Sequence, residues 1–319
     1  MLEVRGLKVE FPTRRGVLTA LDGVSFAIAR GETLGVVGES GAGKSLTGAA
    51  IIGLLEHPGR IAAGEILLEG RRIDHLPLEA MRRVRGKEIA AIFQDPLTSL
   101  NPLFSVGRQL ADTIQTHLPL SSRQARDRAV ELLARTGIPA PELRIDHFPH
   151  QFSGGMRQRV VIALALAAEP KLIVADEPTT ALDVSIQAQI ITLSKSLARE
   201  SGTAFMLITH DMGVIAETAD RVAVMYAGRI AEIGPVADTI HRPRHPYTQG
   251  LMASIPSVQE SRPRLAQIDG AMPRLNAIPQ GCAFHPRCAQ RDLRCDIDRP
   301  ELQRVGVSFA ACWRAGEEA

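Results

Sequence analysis

The sequence has no long hydrophobic run and no leader-like start. Its longest apolar run, Val160 to Ala168, is bracketed by Arg159 and Glu169, whereas a helix needs about 18 apolar residues to span a bilayer. The first residues, Met1 to Arg5, lack the apolar core of a signal peptide. Because of these two absences, we expect the chain to stay in the cytoplasm.

Excess charge and cysteine are also scarce. The formal net charge of +2 is too small to imply, by itself, binding to nucleic acid or to an anionic membrane surface. The four cysteines are not expected to form structural disulfides in a reducing compartment, so their clustering near the carboxyl end requires another explanation. With 319 residues, 45% of them hydrophobic, the chain can bury one large core and a smaller appendage.

Lysine is rare too, and one of the few lysines lies in the stretch around which the chain is organised. This stretch reads Gly38-Glu39-Ser40-Gly41-Ala42-Gly43-Lys44-Ser45, the pattern of a phosphate-binding loop. A strand candidate at 33–37 precedes it and helical spacing at 45–55 follows it, which is the context that such a loop requires. The glycines let backbone N–H groups converge on phosphate oxygens. Lys44 would reach the β- and γ-phosphates, and Ser45 would bind Mg²⁺. The scarcity of lysine makes a chance match in a glycine-rich turn the weaker interpretation.

The remaining segments predict an α/β fold with an antiparallel subdomain ahead of the core and a helical subdomain inserted into it. Alternating apolar residues predict strands at 2–11, 17–21 and 24–28 and a hairpin at 61–74. A short strand at 89–93 should end before Pro96, which we expect to stop any regular element. Helical periodicity follows at 106–117, at 122–136 with a cap at 121–122, and from 153 to 168. The helical subdomain therefore covers residues of about 97–168.

Fully apolar runs then alternate with helical segments through residue 233. Strands are predicted at 172–175, 204–208, 221–226 and 229–233, with helices at 184–198 and ending at 219. This alternation indicates a parallel sheet whose functional loops lie at the carboxyl ends of its strands.

Polar side chains at these loops are candidates for nucleotide chemistry. Asp176 ends a buried strand, where a carboxylate can hold the Mg²⁺ shell, and Glu177 beside it is placed to accept a proton from an attacking water. The amide of Gln94 suits contact with both metal and water. His210 can donate a hydrogen bond to the γ-phosphate, with a locally satisfied histidine as the alternative. Phe11 is a candidate for stacking on adenine, with ordinary packing as the alternative.

The order and approximate spacing of these motifs resemble an ABC-transporter ATPase subunit over nearly the whole chain. The resemblance rests on Gly38 to Ser45, Gln94, Phe152 to Met156, Leu172 to Glu177, Thr180 to Asp183 and His210. It implies that Ser153, Gly154 and Gly155 contact the γ-phosphate of ATP held by the opposite subunit, and that Asp183 lies at the dimer seam. The family's usual Leu-Ser-Gly-Gly-Gln has Phe152 and Met156 at its ends here, so any polar contact of the final glutamine is lost.

Three further segments resemble the dipeptide/oligopeptide permease ATPases, a group that also contains nickel importers. These segments are Ile92 to Pro102, Phe152 to Arg159 and His245 to Thr248. The resemblance implies that the chain pairs with a second ABC ATPase, a heterodimer being favoured, beneath two membrane permeases fed by an external solute-binding protein. It would then be a peripheral subunit at the cytoplasmic face of the inner membrane.

The tail has its own composition, and we divide the chain into an ABC nucleotide-binding domain, residues 1–234, and a C-terminal peptide-permease-type domain, residues 235–319. Four cysteines lie in this second part, and such a set can hold a metal where little hydrophobic core is available: Cys282, Cys288, Cys295 and Cys312. Related peptide-permease ATPases carry a four-iron, four-sulfur cluster in this region, so the resemblance implies a 4Fe-4S cluster on these thiolates. Zinc, with His285 replacing a cysteine, and buried free thiols are the alternatives.

Two other classes of function remain to be weighed. A soluble ABC ATPase that acts on nucleic acid or ribosomes would carry a long coiled-coil insertion, a second nucleotide domain or a basic tail, and this sequence has none of them. A regulatory subunit that binds ATP without hydrolysing it is disfavoured by Glu177 and His210. The sequence does not identify the transported solute, because selection belongs largely to other chains.

Overall fold

The computed structural model describes residues 1–178, 184–254 and 267–316. The chain divides into two compact units, each built from several segments of sequence. The first contains Met1, Ile28–Thr33 and His75–Leu207, and the second contains Leu2–Ala27, Leu34–Asp74 and Ile208–Ala319. The functional division between residues 234 and 235 stays a prediction.

The structure contains both strands and helices, as expected of an α/β protein. The strands are β1 (Leu2–Thr13), β2 (Gly16–Ile28), β3 (Thr33–Val37), β4 (Arg60–Leu68), β5 (Arg71–Arg72), β6 (Ile89–Ile92), β7 (Leu172–Asp176), β8 (Ala204–Ile208), β9 (Arg221–Tyr226), β10 (Arg229–Pro235), β11 (Gln303–Val305) and β12 (Ser308–Ala310). The helices are α1 (Lys44–Ile51), α2 (Leu78–Val84), α3 (Pro96–Ser99), α4 (Val106–His117), α5 (Ser122–Arg135), α6 (Pro141–Arg144), α7 (Gly154–Leu166), α8 (Val184–Ser201), α9 (Met212–Thr218), α10 (Val236–His241), α11 (Pro246–Ala253) and α12 (Leu293–Ile297).

The second unit contains the predicted antiparallel subdomain, a sheet in the order β2-β1-β4-β5. Its central pair, β1 and β4, places Leu2 opposite Leu68 and Val4 opposite Ile66, and all four side chains are buried. Strand β2 differs from the prediction of two strands, because it runs unbroken through Asp22 and Gly23.

The residues between the two predicted strands are extended within β2 because they contact residues that are remote in sequence. The Asp22 N–H donates to the Gly228 carbonyl at 3.0 Å, and its carboxylate accepts from Arg299 Nη1 at 3.0 Å. An aspartate that would favour a turn when solvated is therefore satisfied inside a strand.

The same unit contains five further strands in the order β11-β12-β10-β9-β3. Strand β3 is buried at all five positions and pairs parallel with β9, as the alternation of elements predicts. Strand β10 is antiparallel to β9, because only Ala227 and Gly228 connect them and so short a connection permits only a hairpin. The terminal hairpin of β11 and β12 pairs onto β10.

The first unit contains strands β8, β7 and β6 and the helical subdomain. Strands β6 and β7 are parallel, with Ile92 opposite Ala175 at their carboxyl ends. Helix α5 begins with a capping box between Ser121 and Gln124, and α7 begins at Ser153, as predicted. The expectation that Pro96 stops regular structure is wrong, because it is the first residue of α3, capped by Asp95. Proline is tolerated there since first-turn N–H groups have no intrahelical partner.

Within the three described ranges, no helix is both long and apolar enough to span a membrane.

Candidate functional site

The phosphate-binding pattern lies between β3 and α1, in the predicted strand–loop–helix arrangement. Gly38, Gly41 and Gly43 have φ angles of 150°, 84° and 103°, which are open to glycine and costly for other residues. A Cβ atom on Gly38 would lie 2.3 Å from the carbonyl oxygen of Met225 in β9. The loop therefore passes against the β9 backbone at a distance that only glycine allows.

Lys44 is buried, with 6% of its surface exposed, and its side chain lies along the loop. Its Nζ donates to the carbonyl oxygens of Gly38 at 2.8 Å and of Glu39 at 3.1 Å. Ser40, Gly41 and Ser45 are exposed, whereas Ala42 is buried. An ammonium beside an exposed loop at a helix start fits a phosphate group, and the exposed Ser45 hydroxyl fits a Mg²⁺ ligand.

A second set of predicted residues comes together in the first unit. Asp176 is the last residue of β7, and Gln94 follows β6, the neighbouring parallel strand. The Gln94 Nε2 donates to Glu177 Oε2 at 3.1 Å. Glu177 has a φ of 45°, a left-handed conformation that costs energy and recurs at functional sites. The carboxylate of Glu177 is thus oriented both by its backbone and by the Gln94 amide.

His210 and Phe11 lie in the second unit. His210 is exposed and follows β8, two residues after Ile208, and the preceding Thr209 donates its N–H to Val36 in β3 at 3.2 Å. Phe11 is half-buried, and a Cβ on Gly59 would lie 2.7 Å from its ring, so packing accounts for part of its surface. Stacking of Phe11 on adenine stays a prediction. Asp183 lies outside the described residues.

The segment predicted to act on a second subunit starts helix α7. Ser153 is its N-cap, and its Oγ accepts from the Met156 N–H at 3.3 Å, while Gly154 and Gly155 form the first turn. Phe152 is buried to 2% exposure and packs edge-on against His147, so it fills an apolar position. The Met156 sulfur lies 3.7 Å from Arg144 Nη1, where the family's usual residue would place an amide.

The predicted metal site in the tail is wrong. Over the ranges that the structure describes, no group of three or more His, Cys, Asp or Glu side chains is arranged to bind a metal ion. The four cysteines are free and line one small cavity together with Phe284, His285 and Trp313. Burial raises the pKa of each thiol, that of Cys282 to about 11. The absence of a metal-binding group from the described residues overturns the predicted iron–sulfur cluster, and the zinc alternative fails for the same reason.

Sequence reasoning missed two residues that contact the phosphate-binding loop. The Glu39 N–H donates to the hydroxyl oxygen of Tyr247 at 2.9 Å, and Arg287 Nη1 donates to both Glu39 carboxylate oxygens at 3.1 Å. The segment His245 to Thr248 indicates the subgroup, but nothing in the sequence identifies the residue that it contacts. No local signal marks Arg287, which lies 248 positions from Glu39.

Comparison with known proteins agrees with this geometry. Residues 21–180 match the family model described as ABC transporter, and residues 231–295 match that described as oligopeptide/dipeptide transporter, C-terminal region.

Relatives in the curated collection match over nearly the whole length. The chain is 54% identical over 317 residues to the oligopeptide transport ATP-binding protein OppD of Bacillus subtilis, covering 98% of this chain and 88% of the relative. It is 45% identical over 312 residues to the dipeptide transport ATP-binding protein DppD of Haemophilus influenzae, covering 98% and 94%. Among solved structures, a dimeric ATP-binding cassette in a post-hydrolysis state bound to ADP and Pi has a TM-score of 0.66 and 28% identity, covering 74% of this chain and 99% of that one.

Proposed function

Given that this chain belongs to the ABC transporter family, we propose that it hydrolyses ATP to drive an importer of oligopeptides or dipeptides. The family and the α/β ABC ATPase fold expected from the sequence are confirmed. As a member of that family the chain is an ATPase. The observation that carries the peptide cargo is the tail, because residues 231–295 match the C-terminal region of oligopeptide/dipeptide transporters.

The loop residues account for nucleotide binding. ATP bound with Mg²⁺ supplies the phosphoanhydride bond that is hydrolysed. Lys44, which donates to two loop carbonyls, would turn to the β- and γ-phosphates, and the exposed Ser45 hydroxyl and Asp176 would be the ligands of Mg²⁺. The backbone N–H groups of residues 38–45 bind phosphate oxygens at the start of α1.

Three polar side chains account for hydrolysis: Glu177, Gln94 and His210. Glu177 accepts a proton from the attacking water, and Gln94 orients its carboxylate through the 3.1 Å hydrogen bond. His210, exposed after β8, donates a hydrogen bond to the γ-phosphate. These three side chains together support a hydrolysing subunit rather than one that only binds nucleotide.

The assembly that we propose contains more than one chain. Ser153, Gly154 and Gly155 contact ATP held by a second ABC ATPase, preferably a related but different one. Two membrane permeases and an external solute-binding protein complete the importer, and the chain is peripheral at the cytoplasmic face of the inner membrane. The dimeric cassette of similar fold and the exposed Ser153 support this arrangement.

Transport reconstituted in lipid vesicles tests the cargo. The chain, its partner ATPase and the two permeases are assembled, and phosphate release is measured with the binding protein loaded with peptides or with Ni²⁺. We expect peptides of two to several residues to stimulate hydrolysis several-fold. Stimulation by Ni²⁺ alone would move the protein to the nickel branch of the subgroup, and stimulation by RNA without permeases would contradict import altogether. Glu177→Gln serves as the inactive control.

A further inference from the structure

The tail makes a defined contact with the phosphate-binding loop, which we call the tail clasp: Tyr247, Phe284 and Arg287. We propose that Tyr247 and Arg287 are positioning residues of the nucleotide site, which hold Glu39 in place and offset its negative charge so that the loop accepts a polyphosphate. This inference rests on the proposed ATP binding but concerns residues outside the motifs that we propose bind or hydrolyse ATP.

All three polar parts of Glu39 are engaged. Its N–H donates to the Tyr247 hydroxyl at 2.9 Å, and its carbonyl accepts from Lys44 Nζ at 3.1 Å and from the Ala42 N–H at 3.1 Å. Both of its carboxylate oxygens accept from Arg287 Nη1, each at 3.1 Å. The tail supplies the partners of the N–H and of the carboxylate, whereas the carbonyl accepts from the phosphate-binding lysine and from an N–H of the loop itself.

Arg287 is held before any ligand arrives. Only 7% of its side chain is exposed, and its guanidinium lies 5.8 Å from the ring centre of Tyr226 and 5.9 Å from that of Phe284. Its Nε donates to the Asp269 carbonyl at 2.8 Å, and its Nη2 to the Ile268 carbonyl at 3.3 Å. A guanidinium anchored on two carbonyls loses little freedom when it binds a carboxylate.

Tyr247 is equally well anchored. It is fully buried, with its ring centre 4.7 Å from that of Tyr226 and 5.4 Å from that of Phe284. Its own N–H donates to Nδ1 of His245, the N-cap of α11. This accounts physically for the His245 to Thr248 segment, which begins a helix whose second residue reaches the phosphate-binding loop.

The charge of Glu39 explains why the tail clasp should affect nucleotide affinity. The side chain of Glu39 is 29% exposed, and it places a carboxylate within the loop that would bind a polyanion. An unpaired carboxylate there repels phosphate, whereas one paired with Arg287 presents no net charge. The repulsion that Arg287 removes grows with the charge of the ligand, so ATP should depend on it more than ADP does.

Nucleotide affinity of the full chain tests the proposal through Arg287→Met, Glu39→Gln and the double variant, using fluorescent ATP and ADP analogues. We expect Arg287→Met to raise the Kd for ATP by about fivefold to tenfold, the Kd for ADP by less, and both effects to shrink in high salt. The double variant should return to within about twofold of the wild type, because no unpaired carboxylate remains. A double variant as weak as Arg287→Met would overturn the charge argument.

Arg299→Met is the matched control, because Arg299 is also a tail arginine paired with a carboxylate, that of Asp22 outside the loop. It should leave both Kd values unchanged. Tyr247→Phe keeps the packed ring and removes only the hydroxyl, so we expect a threefold or so rise in KM for ATP with kcat maintained. Unchanged KM in this variant would contradict the role of Tyr247. A wild-type chain that binds no ATP would instead contradict the proposed function itself.

Discussion

At the scale of single residues, Glu177 is the side chain on which we propose that hydrolysis depends most. It combines a left-handed backbone with a hydrogen bond from Gln94, so the structure spends conformational energy to place one carboxylate. A glutamate in an ordinary exposed turn would need neither a left-handed backbone nor this hydrogen bond.

We expect Glu177→Gln to lower the rate of ATP hydrolysis by on the order of 10² to 10⁴, because the shape is kept and the base is lost. ATP should still bind, since the loop and Lys44 are unchanged. Phosphate release from the assembled transporter and binding of a fluorescent ATP analogue measure the two effects separately. Near-normal turnover would remove Glu177 from its proposed role.

His245 is a residue whose burial predicts a pH dependence of stability. Burial lowers its pKa from 6.5 to about 4, so the folded chain keeps it neutral while the unfolded chain protonates it between these two values. The free energy of unfolding is therefore unaffected by His245 above pH 6.5 and decreases as the pH falls towards 4, by up to about 3 kcal/mol.

The comparison with His245→Asn isolates this effect, because asparagine can also cap α11 but does not titrate. Urea unfolding between pH 7 and pH 4.5 should show a smaller loss of stability in the variant than in the wild type. Equal losses would show that groups other than His245 account for the acid sensitivity. The buried Glu232 is not one of them, because burial raises its pKa and it therefore favours the folded chain as the pH falls.

At the scale of elements, the turn from β3 into α1 depends on two glycines in different ways. In Gly38→Ala the new Cβ meets the Met225 carbonyl at 2.3 Å, whereas in Gly41→Ala the nearest atom is Met272 Cγ at 4.0 Å. We expect the first change to cost on the order of 3–5 kcal/mol, from strain and overlap. The second should cost only about 1–2 kcal/mol, from backbone strain.

Thermal unfolding of the two variants checks this difference, with Gly16→Ala as a control that has a positive φ of 122° and an open surrounding. If Gly38→Ala and Gly41→Ala shift the Tm equally, the close approach of the loop to β9 does not limit the residue at position 38.

The same elements show which parts of the fold a sequence can predict. Helix α4 and strand β8 have the predicted bounds, because an N-cap, helical periodicity or an unbroken apolar run is a local signal. Strand β2 was divided wrongly, since Asp22 finds its partner Arg299 at a separation of 277 residues. No local pattern carries information over such a distance.

The candidate site divides in the same way. The phosphate-binding loop and Asp176 follow strand ends that the sequence predicts, and parallel neighbours explain why Gln94 and Glu177 meet although 83 positions separate them. The contacts of Tyr247 and Arg287 with Glu39 depend on how the tail folds back within its unit. The spacing of the four cysteines predicts a metal site wrongly, because spacing along the chain does not determine whether side chains are arranged around a metal ion.

At the scale of the whole molecule, one copy of the chain should be a poor enzyme. The residues that we propose to complete each ATP site, Ser153 and Gly155, belong to a second ATPase. We therefore expect the rate per chain to rise with protein concentration and to rise steeply when the partner ATPase and permeases are added. Initial rates of phosphate release over a 100-fold or so concentration series measure this dependence.

Ser153→Asn is a useful variant for that series, because asparagine keeps the cap of α7 and alters only the group offered to the opposite site. It should fold normally and lose the concentration-dependent activity. A rate per chain that is the same at every concentration, in the wild type, would contradict shared ATP sites.

The distance along the chain between Glu39 and its two clasp residues also has a consequence for biosynthesis. Tyr247 and Arg287 follow Glu39 by 208 and 248 residues, and a ribosome adds about 5–20 residues per second, so Arg287 is made about 12–50 s after Glu39. Throughout that interval the nascent nucleotide loop carries an unpaired carboxylate. The growing chain should therefore bind ATP poorly until its last segment has been translated, which delays nucleotide loading until the subunit is ready to meet its partners.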